Sequence, residues 1–476
     1  FPYNDALPIS AETVKVIPTK WVYKIKRNQA GEPTVYKARL VARGFVQVEG
    51  EDFHETYSPV IRFDTVRFLL AVAVEKNYMI HQLDMVTAFL NGRIEEEIYV
   101  SQPPGYEDEN RPDHVCKLNR SLYGLKQAPL CWYRELDSFL IQYGFSASPQ
   151  DACLYVLKEE DGTAFMFVVI YVDDLLVVGK SLNKMNEFKE ALSEKFKSKD
   201  LGGISSFLGV QVEYEFDALR ISQRSYAESV LAKAGMSKCN PTFTPAPTNL
   251  DLRQNTGEPV KQEEYRSLIG SLMYLVTRTR PDLAQIVNCL AKFTTNPSTE
   301  HWWALKRVMR YLAGSLDIGI VYRRFQELDP LVGFSDADWG GDKSDRKSTT
   351  GFLFMYSGGP VCWKSVKQTS VAMSSTEAEY IALSKAAQEV IWLRRLAHEL
   401  GARRTGESTH IFEDNMSTIA LLKNENTHGR SKHVDLRHHF VKDLVKDRVI
   451  TVSHCPTEEM LADILTKPLS RETFVR

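Results

Sequence analysis

The chain has 476 residues, 43% hydrophobic and 25% charged, the balance of an ordinary globular protein with room for two or three cored domains. Its 59 lysines and arginines nearly match its 61 acids, so the net charge of −2 excludes a globally basic nucleic-acid footprint and leaves only local patches. Seven scattered cysteines without a CxxC pair exclude a cysteine zinc site and a disulfide framework, and the longest apolar run, Ala164–Val172, is far too short to span a bilayer.

The cysteine usage fits a reducing compartment. No basic-then-apolar leader opens the chain, and a start at Phe1 rather than Met reads as a fragment or processed product. In chain order, WVYKIKR and VYKARLVARGF predict two strands joined by the turn residues NQAGEP. DTVRFLLAVAVEKNY predicts a helix with Asp64 near its N-cap. FMFVVIYV and LLVVG predict the arms of a hairpin, and LNKMNEFKEALSEKF an amphipathic helix. The proline-rich stretch 240–262 reads as a linker. YRSLIGSLMYLVTRTR and STEHWWALKRVMRYLAG predict helices. GFSDADWGG and GFLFMYSGGPVCWKS then predict strands, SSTEAEYIALSKAAQEVIWLRRLAHEL a long helix, and HIFEDN a further strand. The segments are therefore 1–225, mixed α/β; 226–325, helical; and 326–476, a second α/β pattern.

Asp173 and Asp174 interrupt the most apolar stretch of the chain. Asp is a common turn residue, but two-residue hairpins favour Asn-Gly or Asp-Gly, so Asp-Asp is a poor choice on backbone grounds. Two carboxylates about 4 Å apart repel by about 4 kcal/mol at an effective dielectric near 20. A cation offsets that repulsion. Asp84 in IHQLDMVTAFLNG follows an apolar-alternating run, and a strand there beside the hairpin brings Asp84 to Asp173. As a helix N-cap it has an equally good local explanation. Hard oxygen donors of this kind suit Mg²⁺, with Mn²⁺ as the alternative, and two such ions support phosphoryl transfer.

KWVYKIKR, YKARLVARGF, LDMVTAFLNG, LYGLKQAP, YVDDLLVVG and DLGGISSFLGV resemble, in order, the polymerase of copia-type long-terminal-repeat retrotransposons, and the likeness runs from about Lys20 to the C-terminus. The resemblance implies an α/β and α+β multidomain chain. Its expected parts are a right-hand polymerase with fingers and palm in 1–225, a helical thumb in 226–325, and a ribonuclease H-like α/β domain in 326–476. It implies Asp84 and Asp173 as the metal pair, with Asp174 beside them. Phe89 is expected under the incoming sugar, where its ring excludes a 2′-hydroxyl, and Gln127 against the template–nucleotide pair. Lys37, Arg39 and Arg43 are expected near the triphosphate, and Lys197 or Lys199 near pyrophosphate. Leu130 departs from the family's usual Arg after QAP.

In the C-terminal segment the resemblance implies a second metal site from Asp336, Glu377, Asp414 and Asp463. Each acid has a local explanation as well: Ser374 with Glu377 and Thr376 with Glu379 are overlapping capping boxes, Asp414 is placed to cap the helix after it, and Asp338 competes with Asp336. His428, His433, His438 and His439, with Arg430, Lys432 and Arg437, read as a basic surface rather than a zinc site. Lys306, Arg307 and Arg310 share about one face of a helix with Trp302, Trp303 and Tyr311 nearby, a pattern suited to phosphate contact, although core packing is the better reading for the tryptophans. The expected partners are RNA and DNA template-primer, RNA–DNA hybrid and dNTPs, without a membrane. The expected location is cytoplasmic, in a virus-like particle, with the nucleus second. The rival reading is a decayed or co-opted copy that binds nucleic acid without catalysis.

Overall fold

The computed structural model describes residues 14–27, 32–324, 331–402, 407–423 and 432–475. His428 and Arg430, and the side chains of Lys432, His433, Arg437 and His438, lie outside the described set. The chain forms two compact units. One comprises the chain up to Ile61 with Ile80–Gly203; the other comprises Arg62–Met79 and Ile204–Arg476. These cuts fall elsewhere than the segment boundaries expected from composition. The helices after the proline-rich stretch share a unit with the C-terminal α/β pattern, and helix Phe63–Glu75 joins them.

The first unit is built on a six-stranded sheet. Its spatial order is Ser198–Gly203, Met79–Met85, Asp174–Gly179, Ala164–Tyr171, Leu154–Lys158, Ser146–Ala147. The two central strands form the expected hairpin, and Phe167, Val168, Val169 and Leu175–Val178 are fully buried. Such a continuous apolar run marks strands covered on both faces. Helices Ala128–Tyr143 and Leu182–Lys195 contribute the aromatic cluster Phe139, Tyr143 and Phe188. The hairpin Thr19–Arg27/Pro33–Ala42 stands largely in solvent. It is anchored at its end, where the Ala42 N–H donates to the Tyr123 carbonyl at 2.7 Å. Gly124 has φ +93°, and a Cβ there would strike the Ala42 carbonyl. Only glycine allows the VARGF and LYGLKQAP stretches to meet this closely.

In the second unit, helix Phe63–Glu75 is buried nearly all round, as its uniform apolarity requires. Its one buried cation, Arg67, is fully used. Nε donates to the Val361 carbonyl at 2.9 Å, Nη1 to the Thr277 carbonyl at 2.8 Å, and the guanidinium stacks 3.7 Å from the Trp363 ring. Asp64 lies in the first turn, paired with Arg67, while Arg62 holds the cap position. The principal sheet has the order Gly359–Lys367, Thr349–Tyr356, Val332–Asp338, Thr409–Glu413, Ile450–His454. The first three strands run antiparallel in sequence, and the last two run parallel to Val332–Asp338. The long helix Ser375–Glu399 lies against Val332–Asp338 through the small residues Ala337, Ala372, Ala378 and Ala382. Gly351 pairs with Asp336, and a Cβ there would come 2.6 Å from Thr466 Cγ2. The missing side chain admits the turn that carries Asp463 to the Asp336 strand. No helix of the described residues is long and apolar enough to cross a membrane.

Candidate active sites

In the first unit the strand Met79–Met85 lies beside Asp174–Gly179, so Asp84 reaches the hairpin end as the sequence predicts. The Met85 N–H donates to the Asp173 carbonyl at 2.7 Å and fixes the two carboxylate-bearing segments to each other. Tyr171 pairs with Asp174, so the two-residue loop is Val172–Asp173 rather than Asp173–Asp174. The positive φ falls on Val172, at +57°. A β-branched residue there is strained, and such strain persists only where neighbours hold it. The Trp132 indole N–H donates to the Val172 carbonyl at 2.6 Å and supplies that hold. Asp173 is thereby pushed out into solvent, while Asp174 starts the strand and turns toward Gln82, whose Nε2 donates to it at 3.3 Å. Burial raises the Asp174 pKa, the Gln82 bond opposes this, and the neighbouring Asp173 and Asp84 add to the rise.

Lys199 pairs directly with Asp84 across the sheet, so its side chain stands on the same face. Lys197 contributes only its carbonyl, to Val86 N–H at 2.9 Å. Phe89 follows Thr87, which takes φ +56°, in the short turn Ala88–Asn91. Its ring meets Tyr123 edge-on at 5.0 Å and is half-buried against the cluster of Ile17, Ala42, Ile98, Val100 and Leu125. The Arg39 guanidinium lies 5.6 Å from the Tyr123 ring. Lys37 is half-buried on the exposed hairpin, and Arg43 is exposed at its end.

Gln127 is placed differently from expectation. It is 1% exposed, its Oε1 accepts from Gln47 Nε2 at 3.0 Å, and its Nε2 donates to the Asp52 carbonyl at 2.9 Å. An amide used at both ends inside the protein ties the 44–53 segment to the helix that follows it, and does not face a nucleotide. Leu130 is buried in that same helix, where an apolar side chain is at home. Gln127→Leu is therefore expected to lower stability by roughly 2–4 kcal/mol, since it strands two buried partners. A melting temperature within a degree of the parent's would exclude this role.

In the second unit, Asp336, Asp414 and Asp463 come together, with one carboxylate oxygen of each within 4.8 Å of the others. Asp336 lies mid-strand and is 1% exposed; Asp414 follows the strand Thr409–Glu413; Asp463 lies in the turn Leu461–Leu465. Asp338, two residues along the same strand face, accepts the Thr349 N–H and is not one of the three. Glu377, expected in this group, is instead a helix cap. Its Oε2 accepts the Met373 N–H at 2.8 Å and its N–H donates to Ser374 Oγ at 3.2 Å. Glu379, two residues on, is the buried acid, and forms a second trio with Glu413 and Asp414. Helical phase decides between the two: Glu379 continues the stripe of Leu383, Ala386 and Val390, all fully buried. That signal was present in the sequence but was masked by the overlapping capping boxes. Glu413, Thr466 and Lys467 carry no sequence motif that marks them. Lys467 Nζ lies 2.7 Å from Asp463 and 3.8 Å from Asp336, and Thr466 Oγ1 donates to Asp336.

Burial and mutual repulsion raise these acids. Asp463 is pushed up to about 7 by burial and then by Asp336, against the pull of Lys467. Glu379 is pushed up to about 11 by burial, then Glu413 and Asp336. Burial also raises Asp336 and Glu413. An acid whose folded pKa exceeds its unfolded value binds more protons folded than unfolded, so its contribution falls as pH rises. For Asp463 this loss runs from about 4, the ordinary carboxylate value, to about 7. The melting temperature of Asp463→Asn relative to the parent, both in chelator, is expected to climb across that window and level off above it. A gap that is flat or narrows with pH would contradict the assignment.

The helix Thr299–Ala313 places its cations largely on the protein itself. Arg310 Nε donates to the Asn240 carbonyl at 2.7 Å, and Arg307 Nη2 to Thr244 Oγ1 at 3.0 Å, so both tie down the proline-rich stretch. Lys306 lies 4.9 Å from the Trp303 ring, which is exposed rather than packed in the core as expected, while Trp302 is buried as expected. Of the three expected phosphate contacts, Arg307 and Arg310 are thus occupied within the fold.

Residues 7–248, just over half of the chain, match the family described as reverse transcriptase (RNA-dependent DNA polymerase). The chain belongs to the reverse transcriptase family of copia-type retrotransposon Pol polyproteins. It is 40% identical over 471 residues to the Retrovirus-related Pol polyprotein from transposon RE2 of Arabidopsis thaliana, covering 99% of this chain and 32% of that one. It is 40% identical over 465 residues to the polyprotein from transposon TNT 1-94 of Nicotiana tabacum, covering 96% and 35%. The copia-type chain thus spans about a third of the length of these relatives. A foamy viral protease-reverse transcriptase, solved in complex with dsDNA, shares the fold at 13% identity and TM-score 0.50, over 94% of this chain and 79% of that one. The fold class is mixed α/β and multidomain, shared over most of the chain with that reverse transcriptase structure.

Proposed function

We propose that this copia-type chain copies RNA and DNA templates from a primer with dNTPs, and cuts the RNA strand of the resulting hybrid, in two separate carboxylate sites. The observation that carries the proposal is the pairing of rigid strands with clustered acids in both units. The Asp84 strand is bonded to the Asp173 loop, and Asp336, Asp414 and Asp463 converge from three different elements. The donor sets fit the ion. All are hard oxygens and several are buried, and in the second unit burial first and neighbouring acids next raise Asp336, Asp463 and Glu379, a crowding that a cation would offset. Mg²⁺, or Mn²⁺ in its place, supplies the Lewis acidity that phosphoryl transfer and its hydrolysis require.

In the polymerase site Asp84 and Asp173 would hold that ion, which would supply its Lewis acidity to the transfer. The primer 3′-oxygen forms the bond to the α-phosphorus as the bond to pyrophosphate breaks. Lys199, paired with Asp84 across the sheet, would give a proton to the leaving group, and Arg39, 5.6 Å from the Tyr123 ring, would be the fingers cation at the triphosphate. In the hydrolytic site Asp336, Asp414, Asp463 and Glu379 take the metal-holding role, and Lys467 balances their charge before substrate arrives. Primer extension on an RNA template with Mg²⁺, run beside cleavage of a labelled hybrid by the full chain, tests the proposal. Binding of hybrid without either reaction would favour a non-catalytic copy.

A further inference from the structure

We propose that Glu413 is a fifth acid of the hydrolytic site, which with Glu379 and Asp414 holds a hard divalent cation next to the Asp336–Asp414–Asp463 position. This rests on the hydrolytic reading above and deepens it. Glu413 closes the strand Thr409–Glu413 and its side chain is completely buried. The Asn415 N–H donates to Oε1 at 3.3 Å and orients the carboxylate. Oε2 has no hydrogen-bond partner, and neither does Oε2 of Glu379, which is 6% exposed. One oxygen from each of Glu379, Glu413 and Asp414 lies within 4.8 Å of the others.

Two buried glutamates that each keep an unpartnered oxygen beside a third carboxylate are costly without a ligand, at about 1–3 kcal/mol for each such oxygen and more when charged. Without an ion, protons on the two glutamates relieve part of that cost, and an ion that binds must displace them. Lys467 answers the other trio, at Asp463 and Asp336, and no described lysine or arginine pairs with Glu379 or Glu413. Three carboxylates and no nitrogen or sulfur donor select a hard ion of the Mg²⁺ or Mn²⁺ class. Asp414 belongs to both trios and so couples the two positions.

The test counts Mn²⁺ bound to the full chain, by the loss of the free-ion paramagnetic resonance signal, with no nucleic acid present. All proteins carry Asp84→Asn and Asp173→Asn, so that polymerase-site ions do not contribute. Glu413→Gln is expected to lose one of the bound ions or weaken it at least about tenfold, because an acid that ligates directly should cost no less than an outer partner. Glu413→Asp keeps the charge at a shorter reach and should bind with intermediate affinity; it also serves if the glutamine variant does not fold. If Glu413→Gln, or Glu413→Asp in its stead, binds Mn²⁺ as the parent does while Asp336→Asn abolishes binding, the hydrolytic site stands and the role of Glu413 is overturned. If Asp336→Asn also leaves binding unchanged, the hydrolytic reading fails and the proposal goes with it.

Discussion

Asp173→Asn is expected to abolish primer extension while leaving hybrid cleavage near the parent rate, and Glu379→Gln to do the reverse. The two carboxylates belong to different compact units and different ion sites, so neither change reaches the other reaction. The expected loss in the affected reaction exceeds about 10²-fold, because even an outer partner of a metal ligand is commonly worth about 10–100-fold. Both amides are nearly isosteric with the acids they replace. Without metal, Asp173→Asn should melt at or above the parent temperature, since it removes a charge from a repelling group, and Glu379→Gln should melt close to it, because burial already keeps that carboxyl protonated. Glu377→Gln is the informative control. Its carbonyl oxygen still accepts the Met373 N–H, so the helix start survives and cleavage should be unchanged. Loss of cleavage in Glu377→Gln with retention in Glu379→Gln would reverse the assignment of the two glutamates. Primer extension by Asp173→Asn at the parent rate would remove Asp173 from the polymerase site.

The hairpin, the helix that follows it and the order of acids along the chain were legible because each carries a local signal, whereas helix Ala128–Tyr143 was not read from the sequence. Val168–Tyr171 and Leu175–Val178 are apolar and β-rich, and a pair of carboxylates between them has no packing explanation. What was not legible depends on contacts between distant segments. The buried state of Gln127 rests on Gln47 and Asp52, some 75–80 residues away, and nothing in LYGLKQAP signals them. Arg307 and Arg310 show a phosphate-like spacing on one helical face. Whether that face is free depends on the course of the stretch at Asn240 and Thr244, which periodicity does not carry. The choice between Glu377 and Glu379 was decidable in principle by following the buried stripe up the helix. Capping chemistry gave both residues an equally good local reason to be there. The membership of helix Phe63–Glu75 in the second unit follows from Arg67, a cation whose partners are carbonyls about 210–294 residues away.

Phe89→Val is expected to raise ribonucleotide incorporation sharply with a smaller loss of deoxynucleotide efficiency. Choosing DNA precursors means rejecting one hydroxyl, and an apolar pocket alone rejects an added hydroxyl by only about 10²-fold. A ring that cannot move adds a steric penalty to that figure. The structure provides the immobility. The Phe89 ring sits edge-on to Tyr123 at 5.0 Å with Ile98, Val100 and Leu125 behind it, and its backbone carbonyl accepts the Ser121 hydroxyl. The ring is only half-buried, so one side belongs to the core and the other is exposed. Truncation therefore has two separable consequences. The core side costs stability, by less than the roughly 3–5 kcal/mol of a fully buried Phe→Ala change. The open side changes selection between nucleotide types. The discriminating measurement is the ratio of kcat/KM for ribo- and deoxynucleotides on one primer–template, beside the melting temperature. A lower melting temperature with an unchanged ratio would make Phe89 a core residue alone. A changed ratio requires that the open face of the ring lies where the 2′-hydroxyl would go, a position that the backbone bond between Met85 and Asp173 sets relative to the acids.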